Sequence, residues 1–123
     1  MAGEFNYNQR VARMAQLQRC IEVLTGFIRY GDATQYDVSE RYSQGKGNRS
    51  RRGLEELRTR GMVKAVGKKN QIVRTKKMRD VVVYGVVTKN RAIDDRTTLA
   101  NEYFKILEYH EESAERHKQK RTG

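Results

Sequence analysis

At Gly61 the hydrophobic pattern of this chain changes period. Before it, apolar residues recur three or four positions apart, as one face of an α-helix requires. Beyond it come two runs rich in β-branched residues, "MVKAV" and "VVVYGVV", which favour strands. Over 8–30, Val11, Met14, Leu17, Ile21, Leu24 and Ile28 trace one apolar helix face, and Gly31 supplies the stop expected of a C-terminus. Thr34, with Asp37 three residues on, predicts the capped start of a short helix that runs through Ser43 and buries Val38 and Tyr42. "SQGKGN" is turn chemistry, after which Asn48 or Ser50 caps a third helix that turns Leu54 and Leu57 inward and breaks at Gly61. The fold class is therefore α+β, mostly helical, and 123 residues are enough for one modest core plus an appendage.

Between the two strand runs lies "GKKNQIVRTKKMRD", polar and basic, with Ile72 and Val73 its only aliphatic β-branched pair. It predicts a β-hairpin with a long loop, inside which "QIVR" forms at most a short extra pairing. The last helix is expected to begin at Asp94 or Asp95, since acids suit a helix N-terminus, and to span 94–117. Along it Leu99, Tyr103, Ile106, His110, Ser113 and His117 alternate spacings of four and three, the seam of a short coiled coil. That seam predicts a homodimer through Leu99, Tyr103, Ile106 and His110, with folding back onto the first helix as the competing placement. Residues 118–123 are left as a disordered basic tail.

Charge is distributed unevenly, and a partner feels local potential more than net charge. Of the net +11, most sits in 48–79, where twelve Lys or Arg face only Glu55 and Glu56. Over 94–115 the balance reverses, with seven acids against Arg96 and Lys105. A polyanion partner is expected for the centre and a different role for the end. Cys20 is the only cysteine, which excludes an intrachain disulfide and a Cys-based zinc site and makes a small buried side chain its simplest role. No apolar run approaches the roughly 20 residues that span a bilayer, so neither a membrane partner nor secretion is expected. The expected location is cytoplasmic, or nuclear in a eukaryotic host.

Chemical motifs are sparse. "GKGNRS" echoes a phosphate-cradling loop but lacks the preceding strand and full spacing of a nucleotide fingerprint. His110 and His117 share a helix face without the partners of a closed metal site, and Tyr103, Phe104 and Tyr109 are expected to pack rather than stack on bases. Adjacent Glu55 and Glu56 point about 100° apart on a helix, and no nucleophile, base and orienter stand at suitable spacing. No catalytic role, cofactor, metal or small-molecule ligand is expected.

The order helix, helix, turn, basic helix, hairpin resembles a winged-helix DNA-binding domain. The resemblance covers 8–90 and is carried by "ATQYDVSERYSQGKGNRSRRGLEELRTRGMVKAV" with "VVVYGVV" as returning strand; Leu54, Leu57 and Gly61 match the family's two leucines and glycine before the first wing strand. The glycine-rich "SQGKGN" and the length of the wing depart from the pattern. The resemblance implies a winged helix-turn-helix with a β-hairpin wing, to which the seam of 94–117 adds an additional C-terminal dimerisation helix. It implies a recognition helix in the major groove, with Asn48, Arg49 and Arg52 reaching base edges from the side opposite Leu54 and Leu57. Arg51, Arg58, Lys68, Lys69, Arg74, Lys76, Lys77 and Arg79 are then the expected phosphate contacts. The expected function is sequence-specific binding of double-stranded DNA by a dimeric transcriptional regulator of prokaryotic or viral type. A replication-origin or packaging adaptor with the same module, and a basic RNA-binding protein, are the alternatives.

Overall fold

The structure is a computed structural model that describes residues 7–42, 47–73 and 75–122, with side chains described for 7–40, 50–73 and 75–112. Among the described residues the architecture is α+β and mostly helical, four helices with a three-stranded antiparallel sheet. In chain order it runs α1 (Tyr7–Tyr30), β1 (Ala33–Thr34), α2 (Gln35–Tyr42), α3 (Gly47–Thr59), β2 (Lys64–Ile72), β3 (Met78–Gly85) and α4 (Lys89–Thr122). None of the described helices is long and apolar enough to cross a membrane.

α1 is the hub of the core. Leu17, Cys20, Val23, Leu24 and Phe27 are buried there beside Val38 of α2, Leu54 and Leu57 of α3, Val63, Tyr84 of β3, and Ala92 and Leu99 of α4. The single stripe expected from periodicity is thus too narrow, because α1 is covered by helices on several sides; Val11, placed on that stripe, is exposed. Gly53 marks the closest approach of α3 to α1: a Cβ added there would lie 3.0 Å from the Arg19 backbone carbonyl. α1 also grips the α3 backbone from the side, with Gln16 Nε2 donating to the Arg52 carbonyl at 3.0 Å.

The ends of α2 and α3 follow local chemistry. The Asp37 backbone N–H donates to Thr34 Oγ1 and the Thr34 N–H donates to Asp37 Oδ2, both at 3.1 Å, the reciprocal pair expected at a capped helix start. α3 begins at Gly47, so Asn48 and Ser50 lie inside it rather than capping it, and Ser50 is buried. At its far end Gly61 adopts φ 75°, and the Met62 and Val63 N–H groups both turn back to the Leu57 carbonyl, closing the helix. Residues 43–46 of the expected turn lie outside the described residues.

The sheet corrects three expectations. Residues 33–34, read in the sequence only for the Thr34 cap and not as a strand, form β1, which pairs with β3 so that β3 is central in the order β1-β3-β2. The hairpin has no long loop: β2 runs unbroken through "GKKNQI" and pairs with β3 down to Ile72↔Met78, leaving 73–77 as the connection. The ribbon was illegible as strand because most of its side chains are exposed, which removes the apolar alternation that marks a half-buried strand. One irregularity between Ala65 and Gly67 leaves Val66 as an extra residue, a β-bulge that twists the ribbon. β3 also begins earlier than "VVVYGVV" and leaves out Val86 and Val87.

α4 starts at Lys89, not at Asp94 or Asp95, because Thr88 caps it: the Arg91 N–H donates to Thr88 Oγ1 at 3.1 Å. Its backbone stays helical through residues 118–122, where Lys, Gln and Arg are good helix formers and extending an existing helix costs little.

Candidate nucleic-acid interface

α3 sorts its side chains by face. Ser50, Gly53, Leu54 and Leu57 are buried, and Arg51, Arg52, Glu55, Arg58 and Thr59 are exposed on the opposite side. The four arginines of α3, and Arg60 just after it, then divide by what each touches. Arg52 is exposed and its side chain has no hydrogen-bond or ion-pair partner among the described residues. Arg51 makes only a loose contact of 3.9 Å with Glu55 between two well-exposed side chains, a pair worth little in water. Arg58 lies over the Tyr84 ring, 4.7 Å from its centroid, which fixes the last turn of α3 against β3 while the residue stays exposed. Arg49, like Asn48, sits in the first turn, with its side chain outside the described set.

Arg60, just past the end of α3, has a structural role. It donates to both Glu102 oxygens of α4 at 2.9 and 2.8 Å and also meets Glu56 at 3.3 Å. Glu56 in turn receives a bidentate fork from Arg13 of α1 at 2.8 and 3.1 Å. Burial alone would raise the Glu56 carboxyl, but the Arg13 and Gln16 hydrogen bonds and the Arg60 charge outweigh it and hold it below its ordinary value. One of the two central acids is thus committed to clamping α1, α3 and α4, which leaves the arginine face still less neutralised. Arg13 was invisible to spacing because it arrives from 43 residues away. Cys20 is buried against the Gly53 carbonyl, and burial, with the Glu56 charge second, pushes its thiol up to about 12.

The β2–β3 ribbon carries the second basic group. Lys68, Lys69, Lys76, Lys77 and Arg79 are all exposed, Lys68 and Lys69 on β2, Arg79 on β3 and Lys76 with Lys77 in the connection; Arg74 lies outside the described residues. Lys76 holds φ 60°, the left-handed region that a side chain enters at a cost of roughly 1 kcal/mol. Neighbouring strand residues point to opposite faces, so Lys68, paired with Val82, shares the side of Tyr84 and hence of the Arg58 stack. Lys69 turns the other way, toward Asp37 at 3.8 Å.

Asp37 anchors that ribbon. Besides capping α2, its Oδ1 accepts from Gln71 Nε2 at 2.7 Å, and Thr34 Oγ1 donates to Gln71 Oε1 at 2.8 Å. Burial would raise the Asp37 carboxyl, yet the Thr34 and Gln71 hydrogen bonds and the Lys69 charge prevail and hold it below its ordinary value. The start of α2 and the outer half of the basic ribbon are thereby one mechanical unit. The cap is legible in the sequence and the clamp is not, since Gln71 falls in the stretch expected to be a long loop with at most a short pairing at "QIVR".

The coiled-coil seam of α4 is spent inside the chain. Leu99 is fully buried, and Tyr103 and Ile106 pack on the same core. Along α1 the Tyr103 hydroxyl accepts from Gln18 Nε2 at 3.1 Å, Arg10 Nε donates to His110 Nδ1 at 3.4 Å, and the Tyr7 and His110 rings lie 5.1 Å apart. Arg96 reaches Thr25 at 3.4 Å, which makes the two helices antiparallel. The stripe assigned to a second chain therefore takes the competing position on α1, whose apolar surface already covers it. Phe104, expected to pack, is 60% exposed instead. Ser113 and His117 lie beyond the described side chains.

No protein-family model matches this chain, and no curated protein or solved structure matches it significantly.

Proposed function

We propose that this chain is a winged-helix protein that binds double-stranded DNA sequence-specifically, with α3 in the major groove and the β2–β3 ribbon on the flanking backbone. Arg52 and Arg49 read base edges with Asn48, while Arg51, Arg58, Lys68, Lys69, Arg74, Lys76, Lys77 and Arg79 meet phosphates. One observation carries the reading: an arginine-rich helix face stands clear of the core beside an exposed two-stranded ribbon of lysines, both held rigidly from behind. Fixed forks of guanidinium match guanine edges and phosphates, and lysines at a ribbon tip match the backbone as point charges. Regulation of transcription is the proposed use, in the cytoplasm of a prokaryotic host or wherever the genome is held.

Titration of fluorescent duplexes with the full chain, after selection of bound fragments from random duplex DNA, tests the proposal. A selected consensus bound well above scrambled duplex supports it. Equal binding of all duplexes, or preference for structured RNA at matched salt, contradicts it, because an A-form major groove is too narrow for helix insertion.

A further inference from the structure

With the seam of α4 buried on α1, a different face of the helix is turned outward. At about 100° per residue, Ile93, Ala100, Phe104 and Leu107 fall on one stripe, roughly a third of a turn from Leu99, Tyr103 and Ile106. Ile93 and Phe104 are exposed and Ala100 and Leu107 half-buried. An exposed phenylalanine with an exposed isoleucine on the same helix face of a highly charged protein calls for a cover, and here the stripe carries its own complement.

We propose that a second copy of this chain docks on this face, the two α4 helices running antiparallel about a two-fold axis beside Ala100. Ile93 and Leu107 stand seven residues on either side of Ala100, so the axis sets each Ile93 against Leu107 of the second copy. Lys89 and Glu111, both exposed, stand eleven on either side and meet as opposite charges. On this stripe the terminal charges are Lys89 at the start and Glu111 at the far end, an order that favours an antiparallel copy over a parallel one. Ala100 at the centre removes the bulk that would hold the helices apart. A symmetric pair uses the same patch twice, as a closed two-fold dimer requires.

The full chain is measured by sedimentation without DNA, so the outcome is independent of the DNA-binding proposal. A concentration-dependent dimer is expected, lost in Phe104→Lys with the helical circular dichroism unchanged. Ala100→Cys is expected to cross-link to itself on mild oxidation, since only a residue beside the axis meets its own copy. Lys89→Glu and Glu111→Lys each weaken the dimer, and the double variant restores it. Within one chain those residues are about 33 Å apart along the helix, so restoration requires the second copy. A chain that stays monomeric at every soluble concentration overturns the proposal. So does a dimer indifferent to Phe104→Lys, or charge reversals that fail to restore each other.

Discussion

The Gln71 side-chain amide donates to Asp37 Oδ1 at 2.7 Å, joining the outer part of the β2–β3 ribbon to the first turn of α2. Gln71 pairs with Arg79 across the ribbon, so the clamp lies close to the tip lysines that the proposed interface uses. Asp37→Ala is expected to release the ribbon and weaken duplex binding by a similar factor on every sequence, with consensus preference retained. Amide hydrogen exchange over 68–80 checks the mechanism: faster exchange in the variant is expected, and unchanged exchange contradicts the clamp.

Two carboxyls make stability depend on acid. Asp37 and Glu56 both titrate below their ordinary values in the folded chain, so each contributes stability that is fully present above the unfolded-state value. That contribution is lost as pH falls through the carboxylate range toward the lowered folded values. Thermal melting from neutral pH downward should show a falling midpoint that is shallower in Glu56→Gln. An identical slope in the variant would remove Glu56 from the account.

The approach of α3 to α1 is tight at Gly53, where an added Cβ would lie 3.0 Å from the Arg19 backbone carbonyl. A methyl group there must displace the Arg19 backbone, and Gly53→Ala is expected to destabilise the fold by about 1–3 kcal/mol despite the better helix propensity of alanine. Leu57, fully buried, should cost about 2–5 kcal/mol when cut to alanine. Denaturant unfolding measures both, and a stabilised Gly53→Ala would show that the two helices can part without penalty.

Local chemistry was legible in the sequence where neighbours decide the structure. Thr34 and Asp37 announce a capped helix, Gly61 ends α3, and Leu54 with Leu57 identifies the buried side that leaves Arg51, Arg52 and Arg58 outward. What escaped depends on distant partners. β2 is exposed along nearly its whole length and so shows no alternation to detect, and Arg13 reaches Glu56 from another helix. The seam of α4 was visible as apolar spacing, but spacing does not say whether α1 or a second chain covers it; the buried Leu99 answers for this stripe.

Binding to phosphates should appear as salt dependence. Replacing Lys68, Lys69, Lys76 and Lys77 by alanine is expected to lower affinity for all duplexes and to flatten the slope of log affinity against log salt by about 0.9 for each phosphate that is no longer neutralised. Anisotropy titrations at several salt concentrations measure it, and an unchanged slope would take the ribbon off the DNA.

The central claim is that the outward face of α3 reads bases, and Arg52 tests it most directly, being exposed and without a side-chain partner among the described residues. The decisive measurement is the affinity of Arg52→Ala for the selected duplex and for a scrambled one, with folding verified by thermal melting. A loss of about 1–3 kcal/mol on the selected site and a clearly smaller loss on the scrambled duplex is the expected result. Equal losses on both would make Arg52 a phosphate contact and contradict base reading by this face.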